Sequence, residues 1–157
     1  MDAGERRQLI NKYKDGFRAV TEALKGITER QLDARPAPDK WSPREIVHHL
    51  ADSEMTSAIR LRRLIAEDHP TIVGYDQERY ARMLYYDRPI EPSLQAIHAA
   101  RLSTGDILER LTEEQWNREG THTESGRYAV EDWLRIYAVH AHEHAAQIAR
   151  ARKNNDE

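Results

Sequence analysis

Two histidines one helical turn apart, His140 and His144, carry the strongest chemical signal in this 157-residue chain. On an α-helix, residues four apart share a face, so the pair presents two imidazole nitrogens to one point. Neutral nitrogens placed in this way are ligands for a divalent late transition metal. The neighbouring residues set the helical phase. With Trp133 at 0° and about 100° per residue, Tyr137, Ile148, Ala141 and Leu134 define an inward arc. His140 and His144 fall within it, at about 340° and about 20°, and His142 falls at about 180°, on the opposite side. Reading His140, His142 and His144 as alternate residues of a strand would align all three, but the periodicity from Trp133 to Ile148 is helical. The competing account is structural, since a core-facing histidine is commonly a hydrogen-bonded packing residue. Two on one apolar stripe would then leave several polar nitrogens to satisfy, at about 1–3 kcal/mol for each failure.

A third ligand must come from another element, and His48-His49 offers it. With Ile46 at 0°, the apolar face of that segment centres near about 60°, through Leu50, Leu61, Leu64 and Val47. His49 lies at the edge of this face, at about 300°. His48, at about 200°, is expected to face solvent or a neighbouring subunit. His49 is therefore the expected third ligand. Asp52 and Ser53, one turn on, are either orienting groups for an imidazole or solvated helix residues. Three nitrogen ligands with an open position are the pattern of a catalytic Zn²⁺ site, and Ni²⁺ is also accommodated. His69, His98 and His122 show no ligand spacing and are expected on the surface or in loops.

Few residues interrupt helical structure: seven Gly and six Pro. The first helix is predicted from about Glu5 to Gly26, with Leu9, Ile10, Tyr13, Phe17, Val20 and Leu24 at helical spacing. A turn-rich stretch from Arg35 to Lys40 follows. Ser42, Pro43 and Glu45 form a capping box with proline in the first turn, opening a helix that runs to about Asp68. Thr71 to Pro92 is an irregular connection containing Tyr75, Tyr80, Tyr85 and Tyr86, within which Asp76 to Met83 could form a short helix. A connection of this length is uncommon unless functional or partly helical. The third helix spans about Ser93 to Leu111. Thr112 to Ala129 reads as loop or a short hairpin, and the fourth helix runs from about Val130 to Arg152. The expected architecture is an all-α four-helix bundle with long connections, one domain over residues 1–157.

Composition narrows the function. There are eight His and no Cys, which excludes disulfide scaffolds, cysteine-ligated metals and a cysteine nucleophile. Twenty-four Lys and Arg against 27 Asp and Glu leave a net charge of −3, unlike the basic footprint of a nucleic-acid binder. No apolar run is long enough for a membrane span, and the N-terminus lacks the apolar run of a signal peptide. A soluble cytoplasmic protein acting on a small molecule is expected.

The segments Trp41-Ser-Pro-Arg-Glu-Ile-Val-His48-His49-Leu-Ala-Asp-Ser, Arg60-Leu-Arg-Arg-Leu-Ile-Ala-Glu-Asp-His-Pro-Thr-Ile and Ile136-Tyr-Ala-Val-His140-Ala-His-Glu-His144 resemble the DinB-like superfamily of four-helix bundles. Within it they are most similar to the YfiT/BstA-like branch. The similarity in order and spacing runs from about Lys12 to Arg150. It implies a metal triad at His49, His140 and His144, lying between helices near one end of the bundle, and a homodimer. Members of this branch are described as metal-dependent hydrolases, and relatives act as S-transferases using bacillithiol or another low-molecular-weight thiol.

Three function classes follow. In a thiol S-transferase, the reading placed first, the metal would deprotonate the thiol of a cosubstrate, so that a protein without cysteine performs sulfur chemistry. Tyr75, Tyr80 and Tyr137 are pocket candidates, with Arg60 or Arg79 available for a carboxylate or other anion. In a hydrolase, metal-bound water would attack, and Glu143 and Asp52 are the candidate general bases. The order His140-Ala-His-Glu-His144 is not a His-Glu-x-x-His protease motif. The third class is non-catalytic: a bundle stabilised by its metal, or a dimeric binding protein.

Overall fold

The computed structural model describes residues 1–153. Residues 154–157, included in the single domain expected from the sequence, lie outside the described residues. Four long helices dominate: α1 (Ala3–Leu24), α3 (Pro43–Ala66), α5 (Glu91–Leu108) and α7 (Val130–Lys153). Shorter elements join them: α2 (Glu29–Leu32), β1 (Thr71–Ile72), α4 (Gln77–Met83), α6 (Glu113–Trp116), β2 (Glu119–His122) and β3 (Gly126–Ala129). Local sequence sets most starts. Asp2 caps α1 through Glu5 N, and the Ser42/Glu45 capping box opens α3 with Pro43 in its first turn. Thr28 with Gln31, and Thr112 with Gln115, form the same box at α2 and α6. These two short helices were not expected.

The apolar core divides into two clusters, and their membership gives the direction of each helix. Ile10 and Tyr13 of α1, Leu61 and Leu64 of α3, Leu108 of α5, and Trp133 and Leu134 of α7 share the first. Val20 and Leu24 of α1, Ile46 and Leu50 of α3, Ile97 of α5, and Ala145 and Ile148 of α7 share the second. Thus α1 and α7 run parallel, and α3 and α5 run together in the opposite sense. This topology explains the long connection from Glu67 to Ile90. It must return the chain along α3 before α5 can start in the same direction.

Between the clusters lies a polar layer. Arg101 Nη2 donates to Glu54 Oε1 at 2.6 Å and to the Tyr137 carbonyl, and Arg101 Nη1 donates to the Tyr13 carbonyl. Glu54 and Arg101 are both fully buried (0% and 2% exposed), and this pair with its hydrogen bonds joins four helices.

The 112–129 region folds as α6 followed by a β2–β3 hairpin, with β1 added parallel to β2 (Thr71↔Thr121, Ile72↔His122). Ile72 and Tyr128 carry this small sheet onto the first core cluster, and Trp116 does the same for α6. Glycine is needed at 120 because a side chain there would strike the Pro70 carbonyl, which accepts from Thr121 N. Among the described residues, no helix is long and apolar enough to cross a membrane.

Candidate metal centre

His49 leaves the second turn of α3, and His140 and His144 leave the middle of the antiparallel α7. Their ring centroids are 5.8 Å (His49–His140), 4.8 Å (His49–His144) and 4.5 Å (His140–His144) apart. One nitrogen from each ring lies within 4.8 Å of the others. His49 is buried and the other two are half-buried. The Trp41 ring packs at 4.7 Å from His49, and the Tyr137 ring at 5.7 Å from His140.

Electrostatics keep these rings neutral. Burial, then the neighbouring imidazoles, push His49 and His140 down to about 3, and burial lowers His144 as well. His144 Nδ1 lies 2.7 Å from Gln147 Oε1, an oxygen that only accepts, so Nδ1 carries the proton. The Nε2 lone pair of His144 therefore faces His140 Nε2, 3.2 Å away. Ligand nitrogens on a tetrahedral zinc, at Zn–N of about 2.0–2.1 Å, stand about 3.3 Å apart. The Nδ1 atoms of His49 and His140 are buried without a hydrogen-bond partner. A neutral, nitrogen-rich cluster with a fixed inward lone pair fits a divalent late transition metal.

The other histidines depart from the sequence expectation at His48, which is buried, and at His122, which lies in a strand. His142 points away from the cluster, and its Nε2 donates to the Lys12 carbonyl at 2.9 Å. His48 does not face solvent or a neighbour: it is fully buried. Its Nε2 donates to the Arg88 carbonyl, and its Nδ1 accepts from Ser93 Oγ. The returning connection covers that side of α3, which helical phase alone could not reveal. His69 and His98 are exposed, while His122 is paired in β2 rather than lying in a loop.

Of the proposed bases, Glu143 is exposed on α7, and Asp52 accepts from the Tyr86 hydroxyl at 2.6 Å. Tyr75, Tyr80, Tyr137 and Arg60 are brought together, and Tyr137 joins this group to the His140 imidazole. Arg60 Nη1 donates to the Tyr137 hydroxyl at 3.3 Å, its guanidinium carbon lies 5.8 Å from the Tyr75 ring, and Tyr75 packs on Tyr80. Arg79 is exposed on α4 and does not join them. Sequence reasoning missed Gln147, Trp41, Tyr128 and the Glu54–Arg101 pair. A signal existed for the last: Glu54 falls at about 80° on the apolar face of α3, and Arg101 falls among Leu94, Ile97 and Leu108 on α5.

Residues 13–148 match the family model of the DinB superfamily, and the chain belongs to that superfamily. A protein of Oceanobacillus iheyensis named "putative metal-dependent hydrolase" is 34% identical over 149 residues, covering 95% of this chain and 87% of the relative. A Bacillus cereus protein of the same name is 30% identical over 144 residues, covering 92% and 83%. The solved structure of YfiT from Bacillus subtilis, described as a probable metal-dependent hydrolase with an unusual four-helix bundle topology, superposes with a TM-score of 0.91. It is 26% identical and covers 98% of this chain and 89% of its own.

Proposed function

We propose that this member of the DinB superfamily is a metal-dependent hydrolase of a small-molecule substrate, with His49, His140 and His144 holding one divalent ion, zinc or nickel. The observation that carries this reading is the convergence of three neutral imidazoles from two helices. The relatives named for metal-dependent hydrolysis support the class. A bound ion supplies Lewis-acid activation of the nucleophile and the electrophilic centre. The chain's own residues prepare the site: Gln147 holds His144 in one tautomer, and Trp41 and Tyr137 wall the imidazoles with apolar rings. The Tyr137 oxygen accepts from Arg60, and the Tyr137 and Tyr128 side chains are also hydrogen-bonded to each other.

A second reading, transfer of bacillithiol or another low-molecular-weight thiol, is favoured by the carboxylates. Glu143 is exposed and Asp52 is held by Tyr86, so neither is poised as a general base. Water benefits from such a base, whereas a thiol can be deprotonated by a metal outright. The proposal also includes a homodimer, read in sedimentation as twice the 18.3 kDa chain.

Elemental analysis of purified protein is expected to find about one divalent ion per chain. Protein that takes up neither zinc nor nickel overturns the triad. Loaded protein is then offered simple esters and amides, and separately an electrophile with a low-molecular-weight thiol. Metal-dependent cleavage without thiol consumption supports hydrolysis, and stoichiometric loss of thiol with electrophile reassigns the enzyme as a transferase.

A further inference from the structure

Arg60 is a half-buried cation with no carboxylate at ion-pair distance among the described residues. Nη1 donates to the Tyr137 hydroxyl and Nη2 to the Val73 carbonyl at 2.7 Å, while Nε is buried without an acceptor. Three of the five guanidinium N–H donors are therefore unspent. They are Nε–H and one N–H on each Nη, and neighbouring guanidinium donors can match both oxygens of a carboxylate.

No carboxylate forms an ion pair with Arg60 among the described residues; the Glu124 carboxylate lies against Gly74, next to the Val73 carbonyl that accepts from Arg60. Burial raises Tyr75 to about 12 and also raises Tyr128 and Tyr137, so these phenols stay neutral. Asp52 is engaged by Tyr86, Glu54 by Arg101, and Asp132 by Ala129 N. Tyr75 and Tyr80 form an aromatic wall beside the guanidinium, and Tyr137 bridges Arg60 to His140. The residues of α4, Tyr80 among them, are not buried, whereas Arg60 Nε is, so a ligand reaches that nitrogen by displacing the side chains over it.

We infer that Arg60, with Tyr75 and Tyr137, is the subsite for a carboxylate on the organic molecule that reacts at the imidazole cluster. A single guanidinium with neutral phenols suits a monoanion. A phosphate dianion would call for a second cation, and Arg79 is exposed on α4 outside this group. The inference rests on the proposed metal site only for where the reaction occurs.

Benzoate is the probe, with benzamide as the uncharged control and sulfate as a bare anion. In metal-free protein, benzoate is expected to shift the Arg60 Nε–H resonance, with benzamide inert and sulfate weaker. Arg60→Gln should weaken benzoate about tenfold or more. Arg60→Lys, which keeps the charge but loses the neighbouring guanidinium donors, should weaken it several-fold. An unmoved Nε–H resonance, unchanged affinity in both variants, or equal binding of benzamide or sulfate overturns the inference. Zinc uptake is titrated in parallel and should survive Arg60→Gln. Benzoate binding that is lost in His140→Ala but retained in Arg60→Gln assigns the carboxylate to the imidazoles instead. Intact benzoate binding in protein that refuses zinc overturns the metal reading alone.

Discussion

At the scale of single residues, His48 and His49 are neighbours in sequence with different partners. His49 meets two imidazoles, whereas both ring nitrogens of His48 are spent on Ser93 and the Arg88 carbonyl. His48→Ala should therefore destabilise the protein by about 1–3 kcal/mol in urea unfolding, through the orphaned groups it leaves. It should leave zinc stoichiometry unchanged, as should His142→Ala, while His140→Ala and His144→Ala abolish uptake. The buried imidazoles also set a pH dependence. His49 and His140 titrate near 3 when folded, against an ordinary value of 6.5. Between these values the unfolded chain binds more protons, so stability falls as pH falls from about 6.5 toward about 3. Each imidazole contributes up to about 1.4 kcal/mol per pH unit in that window. Urea midpoints of metal-free protein across this range measure the slope, which His140→Ala should flatten.

Among the elements, the close approach of α1 to α7 depends on Gly16. Helix propensity alone favours alanine there by about 1 kcal/mol. A Cβ at 16, however, would lie 2.9 Å from the Ala141 Cβ and would overlap the Arg101 guanidinium, which is fixed by Glu54 and the Tyr13 carbonyl. Overpacking against groups that cannot yield outweighs propensity, so Gly16→Ala should destabilise by about 1–3 kcal/mol. A raised melting temperature would instead mean that the two helices can move apart freely.

Across the whole molecule, Arg101 joins α5 to α1, α3 and α7 in the layer between the two core clusters. Removing it strands the Glu54 carboxylate in the interior, and Arg101→Ala should cost about 3–5 kcal/mol. Replacing both partners with apolar residues, as in Glu54→Leu with Arg101→Met, should recover most of that loss, because no buried charge remains. Urea unfolding of the single and double variants measures the coupling. If the double variant is as unstable as Arg101→Ala, the hydrogen bonds to the Tyr13 and Tyr137 carbonyls outweigh the ion pair.

What the sequence determined by itself is what helical period and local capping encode. The four long helices, the inward placement of His140 and His144, the opposed His142 and the box at Ser42 all depend on residues within one or two turns of each other. The arrangement of elements was decided by tertiary structure. The burial of His48 depends on the connection returning beside α3, and the withdrawal of Asp52 depends on Tyr86, 34 residues away. The grouping of Arg60 with Tyr75 and Tyr137 likewise joins α3, the connection and α7. A helix's own periodicity reports which stripe is apolar. It carries no information about what covers the opposite stripe, and in this protein that cover separates the structural histidine from the candidate ligand.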